Sequence, residues 1–407
     1  MSLREIPAHA IVRAVADAAQ RWSDADFPPR VRLLDGIAQR TGYSVPVVEH
    51  ALDQLFFSMS EPALRATIEG ELGSLAALDG FVRREGRPRS WARGLERVAI
   101  ISSRTTIGVA VAPAVFALCA KARVLVKDRE DGLIGAFFAT LAEELDDFRE
   151  AARAQSWDSN ATAEDLRTFD AVVAFGRTQT LAEIRATVGP EMRFIAYGPR
   201  ASAGYVAREQ LCDEGSARAI AQGAARDLVL YDAEGCMSLH ALFVESGGSV
   251  SPTEFGRLLA EQVERASIEF PLGERQPAAA ASVANARNLA AFRSATGHGT
   301  VFADERATYA LFLNPPFDEA PLFLPRSVGI HAVESPAGAA AYLRRHGIAL
   351  EAFALHDKCR SDVVAMAVDS GAVRLAQFGE LQRPPLSGDH GGRPRIADFI
   401  RWIDNDL

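Results

Sequence analysis

From residue 97 onward, short apolar runs alternate with helix-length segments, and no other feature constrains the fold as strongly. Residues 97–102 (RVAIIS), 123–127 (RVLVK), 170–175 (DAVVAF) and 192–197 (MRFIAY) read as strands. Between them lie an apolar helix ending near 122, a helix over 132–154 and a helix running through 184. Strands joined by helices need crossover connections, so the pattern predicts a parallel sheet. Such sheets bind ligands beyond the carboxyl ends of their strands. A second alternating set follows a long helix at 216–230: a strand at 240–245, helices at 252–266 and 278–294, then strands near 308–313, 327–333, 351–356 and 363–368. This predicts two α/β domains that change near residue 230. Residues 1–85 read as helices, two of them opened by Ser44 and Ser60 with an early proline. Residues 391–404 predict a turn and a closing helix.

A chain of 407 residues exceeds one ordinary core. With 48% hydrophobic and 24% charged residues it has a globular composition, and a net charge of -9 excludes a basic footprint for nucleic acid. The longest apolar run, 107–120, is broken by Pro113 and too short for a membrane span. The amphipathic start lacks a signal peptide's apolar core, so the expected location is cytoplasmic. The cysteines at 119, 212, 236 and 359 form no C-x-x-C pair and no zinc spacing, so no metal is expected. They read as reduced, with one or more functional thiols. Cys236 follows Gly235 between the long helix and a strand. A thiolate there can carry an acyl group as a thioester, dividing one hard step into two. Buried packing is the competing reading for any cysteine, and it is the one adopted for Cys119. His240 stands four residues on, either tuning the thiol and donating a proton or filling the start of a strand.

Four segments carry a family resemblance: ALCAKARVLVKDRE (117–130), VVAFGRTQT (172–180), YGPRASAGYV (197–206) and AEGCMSLHALFVE (233–245). In order and spacing they resemble the aldehyde dehydrogenase superfamily. They are most similar to acyl-CoA reductases related to the fatty-acid reductase of bacterial luminescence, a branch that LQRPPLSGDHGGRPRIADFIRW (381–402) also favours. The resemblance implies an α/β fold with a helical N-terminal layer, a Rossmann-like cofactor domain and an α/β catalytic domain. The expected divisions are 1–90 for the helical region, 91–230 for dinucleotide binding, 231–373 for the catalytic thiol domain, and 374–407 for a segment returning to the cofactor domain or an oligomer interface. It implies Lys127 and Glu130 as ribose ligands, Gly176 with Arg177 and Thr178 at the diphosphate, and Cys236 as nucleophile. Arg129 offers a partner for a 2′-phosphate, which favours NADPH over NADH.

Three departures shape the expected chemistry. The family's water-activating glutamate falls on Ala196, so a thioester would exchange with a thiol rather than hydrolyse. The family's oxyanion asparagine is replaced in the SSRTTIG loop (102–108), leaving Arg104, Thr105 or a backbone N–H as donor. The segment that steadies the nicotinamide ribose is replaced by PRSVGIHAV (325–333). The expected function is reduction of an acyl-CoA, of fatty acyl type, to the aldehyde, by a homo-oligomer. The alternatives are a hydrolytic aldehyde dehydrogenase, a reductase of another acyl donor, or a non-catalytic homologue acting as a binding subunit.

Overall fold

The computed structural model describes residues 2–104, 106–130, 132–156 and 166–407. The chain divides into two compact units. One comprises residues 1–41, 48–199 and 385–407, the other 42–47 and 200–384.

The first unit begins with helices α1 (Ala8–Ser23), α2 (Leu34–Thr41), α3 (Val45–Phe57) and α4 (Glu61–Leu72). Trp22 on α1 is the anchor of this layer. Its ring packs 5.1 Å from Phe56 and 6.2 Å from Phe137, and its Nε1 donates to Thr140 Oγ1 at 3.0 Å. A buried indole needs such a partner for its N–H. After β1 (Arg89–Gly94), the alternation builds β2 (Arg97–Ile101), α5 (Val111–Cys119), β3 (Arg123–Lys127), α6 (Leu133–Glu144), β4 (Ala152–Gln155), β5 (Ala171–Phe175), α7 (Thr178–Thr187) and β6 (Arg193–Tyr197). The sheet is parallel in the order β4-β3-β2-β5-β6. The side order reverses between β2 and β5, which makes the carboxyl ends of those strands the switch point where ligands bind in such sheets.

The second unit contains β7 (Ala201–Val206), α8 (Glu214–Val229), β8 (Leu239–Glu245), α9 (Pro252–Glu269), α10 (Pro277–Ala295), β9 (Thr300–Phe302), β10 (Ala310–Leu313), β11 (Ser327–Val333), α11 (Pro336–Arg345), β12 (Leu350–Leu355), α12 (Ser361–Asp369) and β13 (Leu375–Gln377). The sheet order is β13-β12-β7-β8-β11-β10-β9, with only β9 antiparallel. β8 is buried along its whole length, as a central parallel strand must be. Ser251 and Glu254 form a capping box that starts α9, with Pro252 at its first position.

Several expectations are corrected here. The change of unit falls at Pro199/Arg200 rather than near 230. The cause is β7, which joins the second sheet and carries α8 with it. The return to the first unit falls at residue 385, not 374. The helix expected over 132–154 ends at Glu144. A short helix, Phe148–Ala151, follows, and Ala152–Gln155 pairs with β3 as a strand. The strand expected at 363–368 is α12, because a short buried apolar run does not distinguish the two periods. The closing helix is instead the strand Ile400–Asn405, paired antiparallel with β1.

Candidate active site

In the first unit the expected cofactor residues gather at the carboxyl edge of the sheet. Lys127 ends β3 half-buried, and Arg129 beyond it is exposed. Gly176, Arg177 and Thr178 join β5 to α7. Arg177 is the N-cap of α7 without a side-chain cap bond, and both Arg177 and Thr178 are exposed. No side chain caps the positive end of that helix, the kind of helix end that accepts an anion. A Cβ added to Gly176 would meet only ordinary contact with Thr180 at 3.5 Å, so packing does not explain the glycine.

Glu130 is placed differently from its expected ribose role. It is 1% exposed, and its carboxylate accepts the Gly108 N–H at 2.6 Å, just ahead of α5. Burial pushes its pKa up to about 7, opposed by the Gly108 N–H and by Arg40. The amino end of α5 is thus answered from within the protein, while that of α7 is open. Arg104 is exposed, and its carbonyl accepts a hydrogen bond from Arg40. Thr105 lies outside the described residues.

The thiol belongs to the second unit and sits at the amino end of its strand, not the carboxyl end. Cys236 occupies a turn closed by the Ser238 N–H to the Gly235 carbonyl at 3.0 Å. Ser238 Oγ accepts the Gly235 N–H at 3.2 Å and Gln382 Nε2 at 2.8 Å. Ser202 Oγ donates to the Cys236 carbonyl at 2.9 Å and accepts the Ala352 N–H at 3.1 Å. It does so where the pairing of β7 with β8 shifts register. Gln382 is carried by a segment that buried Asp227 holds through the N–H groups of Gly379 and Leu381, at 2.7 and 3.0 Å.

Upstream, Tyr231, Asp232 and Ala233 have φ of 56°, 50° and 59°. Three successive non-glycine residues in the left-handed region cost about 1–2 kcal/mol each. Asp232 is also bonded to Arg326 in a buried ion pair at 2.6 Å.

Burial pushes the Cys236 thiol up to about 11, and Glu351 adds to this. The N–H groups of Cys236 and Met237 pull it down, as does Arg200. The resting sulfur is therefore a neutral thiol at physiological pH. His240 opens β8 beneath the turn. Burial holds it down at about 4, against the backbone carbonyls of Ala233 and Ser238. Its Nδ1 is buried without a hydrogen-bond partner, and its ring lies 4.9 Å from that of Phe323. A neutral imidazole cannot assist a thiolate as a cation or serve as a ready acid. That leaves its expected catalytic roles without electrostatic support. Cys119 is fully buried, and burial pushes it up to about 12. Ala196 is exposed near the end of β6 and brings no carboxylate. Among the described residues no group of three or more His, Cys, Asp or Glu is placed to hold a metal ion, and no helix is long and apolar enough to cross a membrane.

The family profile described as acyl-CoA reductase (LuxC) matches residues 3–402. The chain belongs to the acyl-CoA reductase (LuxC) family. Its class is accordingly that of the oxidoreductases. Among solved structures it is similar to an NAD-dependent benzaldehyde dehydrogenase from Corynebacterium glutamicum. The identity is 13% and the TM-score 0.72, over 100% of this chain and 87% of that one. It is also similar to 1-pyrroline-5-carboxylate dehydrogenase from Thermus thermophilus, with 12% identity and a TM-score of 0.64 over 98% and 81%. Proline utilization A from Bradyrhizobium japonicum matches with 15% identity and a TM-score of 0.73 over 98% of this chain, which spans 43% of that longer protein. These likenesses show the aldehyde dehydrogenase fold. No curated protein matches the chain.

Sequence reasoning singled out Cys236 but not the residues that hold its turn. Ser202, Asp232, Ser238, Arg326 and Gln382 come from five places in the chain. No local pattern marks Ser202, Asp232, Arg326 or Gln382, because each matters through a contact distant in sequence, and Ser238 adds to its local bonds with Gly235 a distant one with Gln382.

Proposed function

We propose that this acyl-CoA reductase family member converts an acyl-CoA to its aldehyde through a thioester on Cys236, with NADPH as reductant. The observation that carries the reading is the Gly235–Ser238 turn, which holds a single half-buried cysteine by hydrogen bonds on both sides. Such preorganisation suits a nucleophile.

Cys236 Sγ loses its proton as it attacks the acyl carbonyl. The C–S bond to CoA breaks, CoA leaves as its thiol, and the acyl group remains on Cys236. The N–H groups of Cys236 and Met237, which already favour negative charge at the sulfur, are the donors for the tetrahedral oxyanion. NADPH, when bound, would supply the hydride to the thioester carbon; the C–S bond to Cys236 then breaks, the sulfur regains a proton and the aldehyde leaves. The open amino end of α7 with Gly176, Arg177 and Thr178 fits a diphosphate. Lys127 would hold ribose and Arg129 a 2′-phosphate. Glu130 is engaged by Gly108 and leaves Lys127 that task alone. With Ala196 in place of a base, water is a poor acceptor for the acyl group.

The test is mass spectrometry of the intact protein incubated with a panel of acyl-CoAs. An adduct of acyl mass that disappears in Cys236→Ala is expected. Adduct formation at the normal rate in that variant removes Cys236 from the mechanism. Absence of any adduct in the native protein removes the acyl-CoA reading and favours a binding subunit.

A further inference from the structure

Arg326 lies in the segment 325–333 that replaces the family's nicotinamide-ribose stretch, and the function above gives it no task. It is 0% exposed, and each of its three side-chain nitrogens has a partner inside the protein. Nε donates to Asp232 Oδ1 at 2.6 Å, Nη1 to Ser267 Oγ at 3.0 Å and Nη2 to the Phe270 carbonyl at 2.7 Å. Its own N–H donates to the Asp232 carbonyl at 2.8 Å. Arg326 is itself left-handed, with φ 46°. Backbone and side chain thus tie one left-handed residue to the middle of the left-handed run 231–233. That run ends three residues before Cys236. A guanidinium that is 0% exposed, with each of its three nitrogens bonded inside the protein, is out of reach of a ligand, so its role is mechanical. Isolated ion pairs of this kind stabilise little over an apolar replacement. What this one does specifically is hold a backbone conformation its residues disfavour.

We infer that Arg326 is a positioning residue: through Asp232 it locks Tyr231–Ala233 in the left-handed conformation and so fixes the direction from which Cys236 emerges. This rests on the nucleophile reading of Cys236, but one of its tests does not. Without the lock, residues 231–233 relax toward ordinary backbone regions and the thiol turn loses its aim and its burial. The other groups acting on the sulfur are Glu351 and Arg200, with neutral His240 behind the turn, and none of them is bonded to Arg326.

The experiment compares Arg326→Lys with the native protein in three readouts. These are thermal unfolding, the pH profile of Cys236 alkylation by iodoacetamide, and the rate of adduct formation with an acyl-CoA. Lysine keeps the charge and loses the fork. The expected result is a cooperative melt, a downward shift of the alkylation midpoint by at least one pH unit, and at least tenfold slower acylation. An unchanged midpoint and unchanged acylation, whatever the melting temperature, overturn the inference. Asp232→Asn gives the same readouts if Arg326→Lys does not fold. Failure of both to melt cooperatively also overturns it, since the pair would then hold the fold rather than the turn. If the native protein forms no acyl adduct, the proposed function fails, yet the alkylation midpoint still decides the role of Arg326.

Discussion

The two halves of the candidate chemistry are built in opposite ways. At the carboxyl edge of the first sheet the candidate diphosphate groups are backbone: the end of β5, Gly176 and the uncapped start of α7. At the amino end of β8 the thiol turn is held by side chains from distant segments, namely Ser202, Gln382 and, through Asp232, Arg326. A backbone site is supplied by topology and tolerates changes in most side chains. A side-chain-held site is strained, costs stability and fails when one support is removed. The difference teaches where each region is vulnerable. The first is blocked by added bulk, the second by lost contacts.

The largest expected effect in this comparison is Gly176→Val. A side chain there should weaken NADPH binding by at least about tenfold, roughly 1.4 kcal/mol or more. The melting temperature without nucleotide should barely move, since nothing packs closer than ordinary contact at that point. Thermal shift with and without NADPH reads both. A nucleotide-induced shift of native size would break the assignment of this edge as the cofactor site.

Glu130→Gln gives an intermediate effect with a defined pH sign. The folded-state pKa of Glu130 is raised to about 7 from 4.5. Its contribution to stability is therefore present below about pH 4.5 and lost as pH rises through 7. The variant should match the native protein near pH 5 and exceed it at pH 8 by on the order of 1–3 kcal/mol. Denaturant unfolding at the two pH values measures this. A variant equally destabilised at both would mean that the carboxylate is held ionised by the α5 amino end.

The smallest effect is expected from Ala233→Gly. Glycine relieves the left-handed strain at that position and should raise unfolding free energy by about 1 kcal/mol. Acylation of Cys236 should be unchanged, because Asp232 and Arg326 still hold the run. A loss of stability would show that residue 233 is not strained in solution.

Much of the first sheet was legible because strands buried on both faces are written as uninterrupted apolar runs, such as RVAII and AVVAF. The contact of Glu130 with the Gly108 N–H was not legible, because its partner is a backbone group that no side-chain pattern reveals. The final strand read as a helix because its partner, β1, lies more than three hundred residues upstream, beyond the reach of local periodicity. His240 was legible as a neighbour of the thiol, but not as a buried neutral ring, since burial is a property of the packed sheet.

The sequence by itself determined two parallel α/β units, a cysteine after a glycine ahead of a central strand, and no glutamate base near the end of β6. These follow from periodicity and residue identity, which are local. Only the tertiary structure decided which helix end stays open to an anion, where the chain passes from one unit to the other, and how the thiol turn is held. Those depend on a carboxylate, a guanidinium and an amide meeting backbone far away in the chain, and such meetings are fixed by packing rather than by neighbours in sequence.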